Sequence, residues 1–339
     1  MSIDDRFEDL AAALGGFYRT WFIDIGLELG LFAAIRAAGD EGLTPDDLAA
    51  RTETHAEVVG QWAWGADAHG LVDLLDGRLT LPEDVAAVLL DSDRPEYLGG
   101  QFVHAATAAL DYGGLLGFVR TGVPVTDRPD RYRIAIERLT VQDIAVFFQE
   151  ALAAIPQLVA ELLPGGRAVD VHCGGGRWLI AMAKRFPGLE LVGIEFEPDS
   201  VERARHNVAD AGLADRITIE HGDMTAIGHA GEFDLAYYQY ALHSLPDAAG
   251  ALRSSWAALR PGGRIVAMDW YLPDDAEEFR SRHGELIAGV QLDELLKGTR
   301  LVKRDEALGW FHAAGIADAE LIDLPSGASL VVAQRRAGT

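Results

Sequence analysis

Eight positions in this chain have residue types and spacing suited to chemistry. Asp170 lies in a short apolar run, Ala168–Val171. It is followed by Cys173 and by three glycines, Gly174, Gly175 and Gly176. A helix-like run, Trp178–Phe186, comes next. This order predicts a strand, a tight turn and a helix start. Side chains in such a turn would keep a ligand away from the backbone, and the turn itself favours residues that tolerate positive φ. The first N–H groups of the helix are left free to bind. Glu195 closes a second apolar run about 20 positions after the last glycine, where an acid can accept hydrogen bonds from ribose hydroxyls. Asp223 and His243 follow later strand candidates, and an imidazole that is neutral near pH 7 suits taking a proton from a hydroxyl.

Two cofactor classes use such a turn. A dinucleotide fingerprint requires Gly-x-Gly-x-x-Gly, and Leu179 stands where its third glycine belongs. A glycine turn without a ligand is the plainer alternative. The acid inside the strand and the Cys-Gly-x-Gly order resemble the first motif of class I S-adenosylmethionine (SAM) methyltransferases. His172 departs from that motif, because the family usually has glycine there.

The resemblance extends downstream. Gly222-Asp223-Met224 resembles the family's Gly-Asp-Met/Phe, in which the acid takes the adenine amino group and its neighbour covers the ring. Leu259-Arg-Pro-Gly-Gly263 is similar to the turn that ends a helix and opens the fifth strand, with Pro261 as the helix stop. Ala241-Leu-His-Ser-Leu-Pro-Asp247 occupies the place of the His-Asp-Trp-x-Asp segment of plant-type O-methyltransferases. It keeps the histidine and the last aspartate. The resemblance implies His243 as the general base, with a structural histidine as the alternative. It implies a cofactor site made by Asp170, Cys173, Gly174, Gly176, Glu195, Phe196, Asp223, Met224, Tyr238 and Gln239. It also implies a substrate wall at Phe148, from the Phe-x-x-Ala-Met-like stretch 148–152.

These residues need strand ends to hold them. From Pro164 onward, apolar strand candidates alternate with helical runs: 168–171, 189–194, 217–219, 233–238, 264–269, 319–322 and 329–334. Alternation of this kind predicts an α/β, Rossmann-like fold with right-handed crossovers. Its seven-stranded sheet should be mostly parallel, and the family likeness makes the last strand antiparallel. Upstream, residues 7–37 read as one amphipathic helix whose stripe Phe17, Tyr18, Trp21, Phe22, Ile25, Leu29 and Phe32 is core or subunit interface. Thr44-Pro45 starts a second helix and Val58–His69 forms a third. Asp76-Gly77 turns a hairpin between Leu71–Leu74 and Arg78–Leu81. Helix, helix, hairpin is a winged-helix order. The candidate recognition helix, 55–69, has no Lys or Arg, which argues against reading DNA. The module resembles the dimerisation domain of small-molecule methyltransferases. Residues 101–119 and 141–163 are expected to be helical, with a loop at 121–132. The expected domains are a winged-helix dimerisation domain at 1–94, a helical linker or lid at 95–163 and the SAM-binding catalytic domain at 164–339.

Composition bounds the partners. The chain has 339 residues, 49% of them hydrophobic, which supports a globular fold. Its net charge of −24 repels phosphate backbones and anionic lipids, so neither nucleic acid nor membrane is expected. Cys173 is the one cysteine, so no internal disulfide can form. The N-terminus lacks a signal-peptide pattern, and a cytoplasmic location is expected. No metal site is expected, since the histidines lie on separate elements with no close His/Asp pairing at ligand spacing. The expected activity is methyl transfer from SAM to a small molecule by a homodimer. The alternatives are a SAM-binding enzyme of the same fold that does not methylate, or a ligand-binding winged-helix regulator.

Overall fold

The computed structural model describes residues 2–111, 114–126 and 130–336. The expected helix 101–119 and loop 121–132 therefore lie partly outside the described residues. The chain forms two compact units, Met1–Leu116 with Asp127–Ala145, and Gly117–Thr126 with Val146–Thr339.

In the first unit, the helix Ile3–Glu28 opens with a capping box. Ser2 accepts from the Asp5 N–H, and Asp5 accepts from the Ser2 N–H. One helix over 7–37 was expected, but the helix ends at Glu28 and a second, Leu31–Ala38, follows. Gly30 adopts φ +66 between them. The return is close. A β-carbon on Gly26 would sit 2.2 Å from the Phe32 ring, so glycine is what lets Phe32 fold back against the helix. The stripe divides accordingly. Phe32 is buried, Phe22 is partly buried, and Phe17, Tyr18, Trp21, Ile25 and Leu29 are exposed.

Thr44 caps Pro45–Arg51 by accepting from the Asp47 N–H. The helix Ala56–Ala68 buries Val59, Trp62, Ala63 and Ala66. The hairpin pairs β1 (Asp73–Leu75) with β2 (Arg78–Thr80). Asp76 and Gly77 both have positive φ, as a two-residue turn matching strand twist requires.

In the second unit, seven strands form one sheet among the described residues. They are β3 (Gly166–Val171), β4 (Leu189–Glu195), β5 (Ile217–His221), β6 (Phe233–Gln239), β7 (Leu259–Asp269), β8 (Glu320–Asp323) and β9 (Ser329–Gln334). Their order is β5-β4-β3-β6-β7-β9-β8; β9 runs antiparallel to both β7 and β8, and the other pairs are parallel. Buried apolar clusters cover both faces. Tyr237 belongs to one and Tyr238 to the other, as strand alternation dictates. The helix before β7 ends at Ala258, ahead of Pro261, because Leu259 is already extended. Residues 260–263 bulge out of the ladder, which resumes from Phe233–Leu259 to Leu235–Arg264. The expected linker 95–163 is shared between the units. Gly99–Asp111 and most of Asp130–Val146 belong to the first, and Pro156–Leu162 to the second. Phe147–Ala151 forms a π-helical turn, a distortion frequent at functional sites.

Candidate active site

The sheet order sets five carboxyl ends side by side. Asp223 follows β5, Glu195 ends β4, the glycine turn follows β3, Gln239 ends β6 and Asp269 ends β7. The order reverses at β3 and β6, which is where such sheets bind ligands.

The turn is fixed by its backbone. The N–H groups of His172 and Cys173 both donate to the Ile194 carbonyl, at 2.9 and 3.1 Å. His172, Gly174 and Gly176 have φ of +69, +52 and +72. A β-carbon at Gly174 would meet nothing within 4 Å, so the turn leaves open space above its backbone. Gly193 below is packed hard. A β-carbon there would lie 2.7 Å from the Cys173 sulfur. Cys173 therefore contributes its backbone to the turn, while burial, then the charges of Asp170 and Glu195, push its thiol upward and leave it inert.

Glu195 is buried at 1% exposure. Its carboxylate accepts from the backbone N–H of Gly174 (2.9 Å), Phe196 (2.9 Å) and Glu197 (3.0 Å). Asp170 is buried in β3 just ahead of the turn, and burial followed by the Glu195 charge pushes its carboxyl up to about 8. Phe196 is exposed rather than in the core, and stacks on His172 at 5.5 Å between ring centres, 11° from parallel.

The other cofactor candidates divide. Asp223 is exposed and caps the turn Met224–Ala226, accepting from the Thr225 N–H and hydroxyl at 2.8 Å, bonds that lower its pKa. Met224 is buried in the core beneath it. Tyr238 is corrected. It was read as a cofactor contact, but it points to the opposite face from Tyr237, is fully buried and shares a 2.6 Å hydrogen bond with Ser255. Gln239 points the other way. Its Oε1 is buried with no hydrogen-bond partner in the protein. A buried acceptor left open at a strand end fits a ligand that brings a donor. Phe148 sits in the π-helical turn, half-buried against Phe147 at 5.4 Å.

His243 is the most constrained titratable group. It stands on the short turn Leu242–Ser244 with its side chain 7% exposed. Its Nδ1 donates to Asp269, with Nδ1 to Oδ2 at 2.8 Å, and its Nε2 faces Glu294 Oε2 at 3.6 Å. Glu294 comes from the helix Arg282–Lys297 and is held by Lys297 Nζ and Thr299 Oγ1, each at 2.5 Å. Burial alone would depress His243, but the charge and hydrogen bond of Asp269, then Glu294, outweigh it and raise the imidazole to about 10. For Glu294, burial acts upward and His243 and Lys297 bring it down to about 2. The expectation of an imidazole neutral near pH 7 is thereby corrected. Sequence reading missed both acids. Asp269 carried a signal, as an acid closing an apolar strand. Glu294 lies inside a helix and carried none.

Residues 168–263 match a methyltransferase domain family. The chain is 31% identical to 27-O-demethylrifamycin SV methyltransferase of Amycolatopsis mediterranei over 45% of its own length, and the match spans 60% of that relative. It is 28% identical to aclacinomycin 10-hydroxylase RdmB of Streptomyces purpurascens over 93% of its length and 85% of the relative. Human N-acetylserotonin methyltransferase in complex with SAM has the same fold, with a TM-score of 0.75 at 17% identity over 99% of both chains.

Proposed function

We propose that this chain, a class I SAM-dependent methyltransferase, moves a methyl group to a hydroxyl of a small molecule in secondary metabolism. One observation carries the hydroxyl acceptor: His243 is locked onto Asp269 through Nδ1, with Nε2 directed away from that carboxylate. When bound, SAM supplies a methyl carbon made electrophilic by its sulfonium. Gly174 and Gly176 let it approach the backbone, and Glu195 accepts from its ribose. Gln239 accepts from a donor on the cofactor, while Phe196 and Asp223 take the base.

His243 Nε2 then takes the acceptor's proton. Asp269 fixes the tautomer, and the two carboxylates stabilise the imidazolium that forms. A phenol has an ordinary pKa of about 10. Its proton therefore passes to an imidazole raised to about 10 with little free-energy change, which favours a phenolic acceptor.

The cofactor assignment predicts a binding loss. Glu195→Ala should weaken SAM by about 1–3 kcal/mol, the cost of leaving a buried hydroxyl unpaired. Calorimetry that finds equal affinity in both proteins would remove the ribose role.

The helix–helix–hairpin module acts in this reading as a winged-helix dimerisation domain within residues 1–94, with 95–163 as linker or lid and 164–339 as the cytoplasmic enzyme's catalytic domain. The face Phe7, Leu10, Leu14, Phe17 and Trp21 is exposed along one helix, and a continuous apolar patch of this kind marks an interaction surface. The full chain should scatter light as a dimer at micromolar concentration, and Phe17→Glu with Trp21→Glu should give monomers. A monomeric wild type refutes the assembly.

A second reading has its own support, since the relative matching 93% of the chain is a hydroxylase. Labelled SAM incubated with a panel of phenols, amines and activated carbons decides between them. SAM binding without label transfer would favour the non-methylating chemistry.

A further inference from the structure

One residue of the glycine turn has no part in the function above. His172 holds φ +69, a left-handed conformation that β-carbons enter at a cost. Glycine occupies the two comparable positions that follow, at +52 and +72. The strain places an imidazole between two groups that are themselves fixed. On one side is the Glu195 carboxylate, held by three backbone N–H groups. On the other is the face of Phe196, whose carbonyl accepts from His221 Nε2 at 2.9 Å. The His172 side chain keeps 29% of its surface exposed, so a ligand can reach it.

The distance between His172 Nε2 and Glu195 Oε1 is 3.9 Å, too long for a direct hydrogen bond. An oxygen about 2.8 Å from each nitrogen and oxygen fits across that gap. A hydroxyl is the group that can do both jobs there, accepting from the imidazole N–H and donating to the carboxylate. The adjoining flat surface of Phe196 suits an aromatic base. A hydroxyl next to a planar base is the pairing a nucleoside presents.

We propose that His172 is a recognition residue for the nucleoside half of the cofactor. Its imidazole shares a ribose hydroxyl with Glu195, and its stack sets Phe196 as the shelf for the base. This rests on the SAM reading above.

The test compares full-length wild type with His172→Gly, His172→Asn and His172→Phe by calorimetry. The probes are S-adenosylhomocysteine, adenosine and 2′,3′-dideoxyadenosine. Gly and Asn both tolerate the left-handed backbone, so these two variants should melt no lower than wild type. They should bind S-adenosylhomocysteine and adenosine about tenfold more weakly, the worth of one good hydrogen bond. They should bind dideoxyadenosine more weakly too, but by a clearly smaller factor, because only the support of Phe196 is lost there. His172→Phe keeps the stack and should lose only the preference for adenosine over dideoxyadenosine. Equal S-adenosylhomocysteine affinity in wild type and His172→Gly would overturn the proposal. So would losses of the same size for adenosine and dideoxyadenosine, which would mark a loosened loop. A wild type that binds no S-adenosylhomocysteine overturns the cofactor reading itself, and this inference with it.

Discussion

His243→Ala should bind SAM as tightly as wild type and turn over a hydroxyl acceptor roughly 10²–10⁴ times more slowly, the usual worth of a positioned base. The reason is local. A hydroxyl must lose its proton as it attacks, and His243 is the imidazole at the end of β6 whose Nδ1 is fixed by a buried carboxylate at 2.8 Å. The pH dependence is the sharper half of the expectation. An imidazole raised to about 10 is neutral in roughly one molecule per thousand at pH 7. Turnover should therefore climb with pH well above 6.5, the ordinary imidazole value, toward a limb near 10. The climb should be absent in His243→Ala. Near-normal turnover in the variant would assign the proton to another group. Tyr238 is a poor substitute, since burial raises its hydroxyl further and Ser255 engages it. A methyl acceptor that is carbon or already ionised would then be the better account.

The sequence made the sheet legible because each strand is a short apolar run with a turn signal at its end. All seven expected strands form, with boundaries shifted by a few residues at most, apart from the added bulge before β7. The cofactor turn was legible for the same reason. Its residues are contiguous, and Glu195 reaches Gly174 from the neighbouring strand at a spacing set by one crossover. What failed depended on direction or on distance along the chain. Tyr238 and Gln239 are adjacent in sequence, yet pleating sends one into the core and the other to the site face. The acids around His243 arrive from β7 and from the helix Arg282–Lys297, and no local pattern links either to a histidine so far upstream. The break at Gly30 was hidden because the apolar stripe continues across it. Only the close approach of Phe32 to Gly26 shows why the helix must stop.

Asp269→Asn should separate the two tasks of the acid frame. Asparagine keeps one acceptor oxygen, which can take the Trp270 N–H that Asp269 now accepts at 2.9 Å, so the turn should stay folded, while its amide N–H faces His243 Nδ1 and favours the tautomer protonated at Nε2. The charge is what disappears. Without it the imidazole loses its largest upward influence, and the alkaline limb of turnover should move down by more than one pH unit. The maximal rate should also fall, by roughly 10² or more, because the imidazolium formed in the reaction is no longer balanced at Nδ1. Stability must follow the same sign. A histidine whose folded pKa lies above its unfolded value stabilises the protein fully below about 6.5, and that contribution is lost as pH rises through about 10. The wild type should therefore exceed Asp269→Asn in melting temperature at pH 6, by as much as about 3–5 kcal/mol in free energy for a broken buried pair, and the gap should narrow toward pH 10. Glu294→Gln should do the same on a smaller scale, since Glu294 lies 3.6 Å from Nε2 and shares its charge with Lys297. A limb and a stability gap that stay fixed with pH in Asp269→Asn would show that His243 is not the titrating base. The Asp269–His243 pair would then be a strut holding the end of β6 to the end of β7.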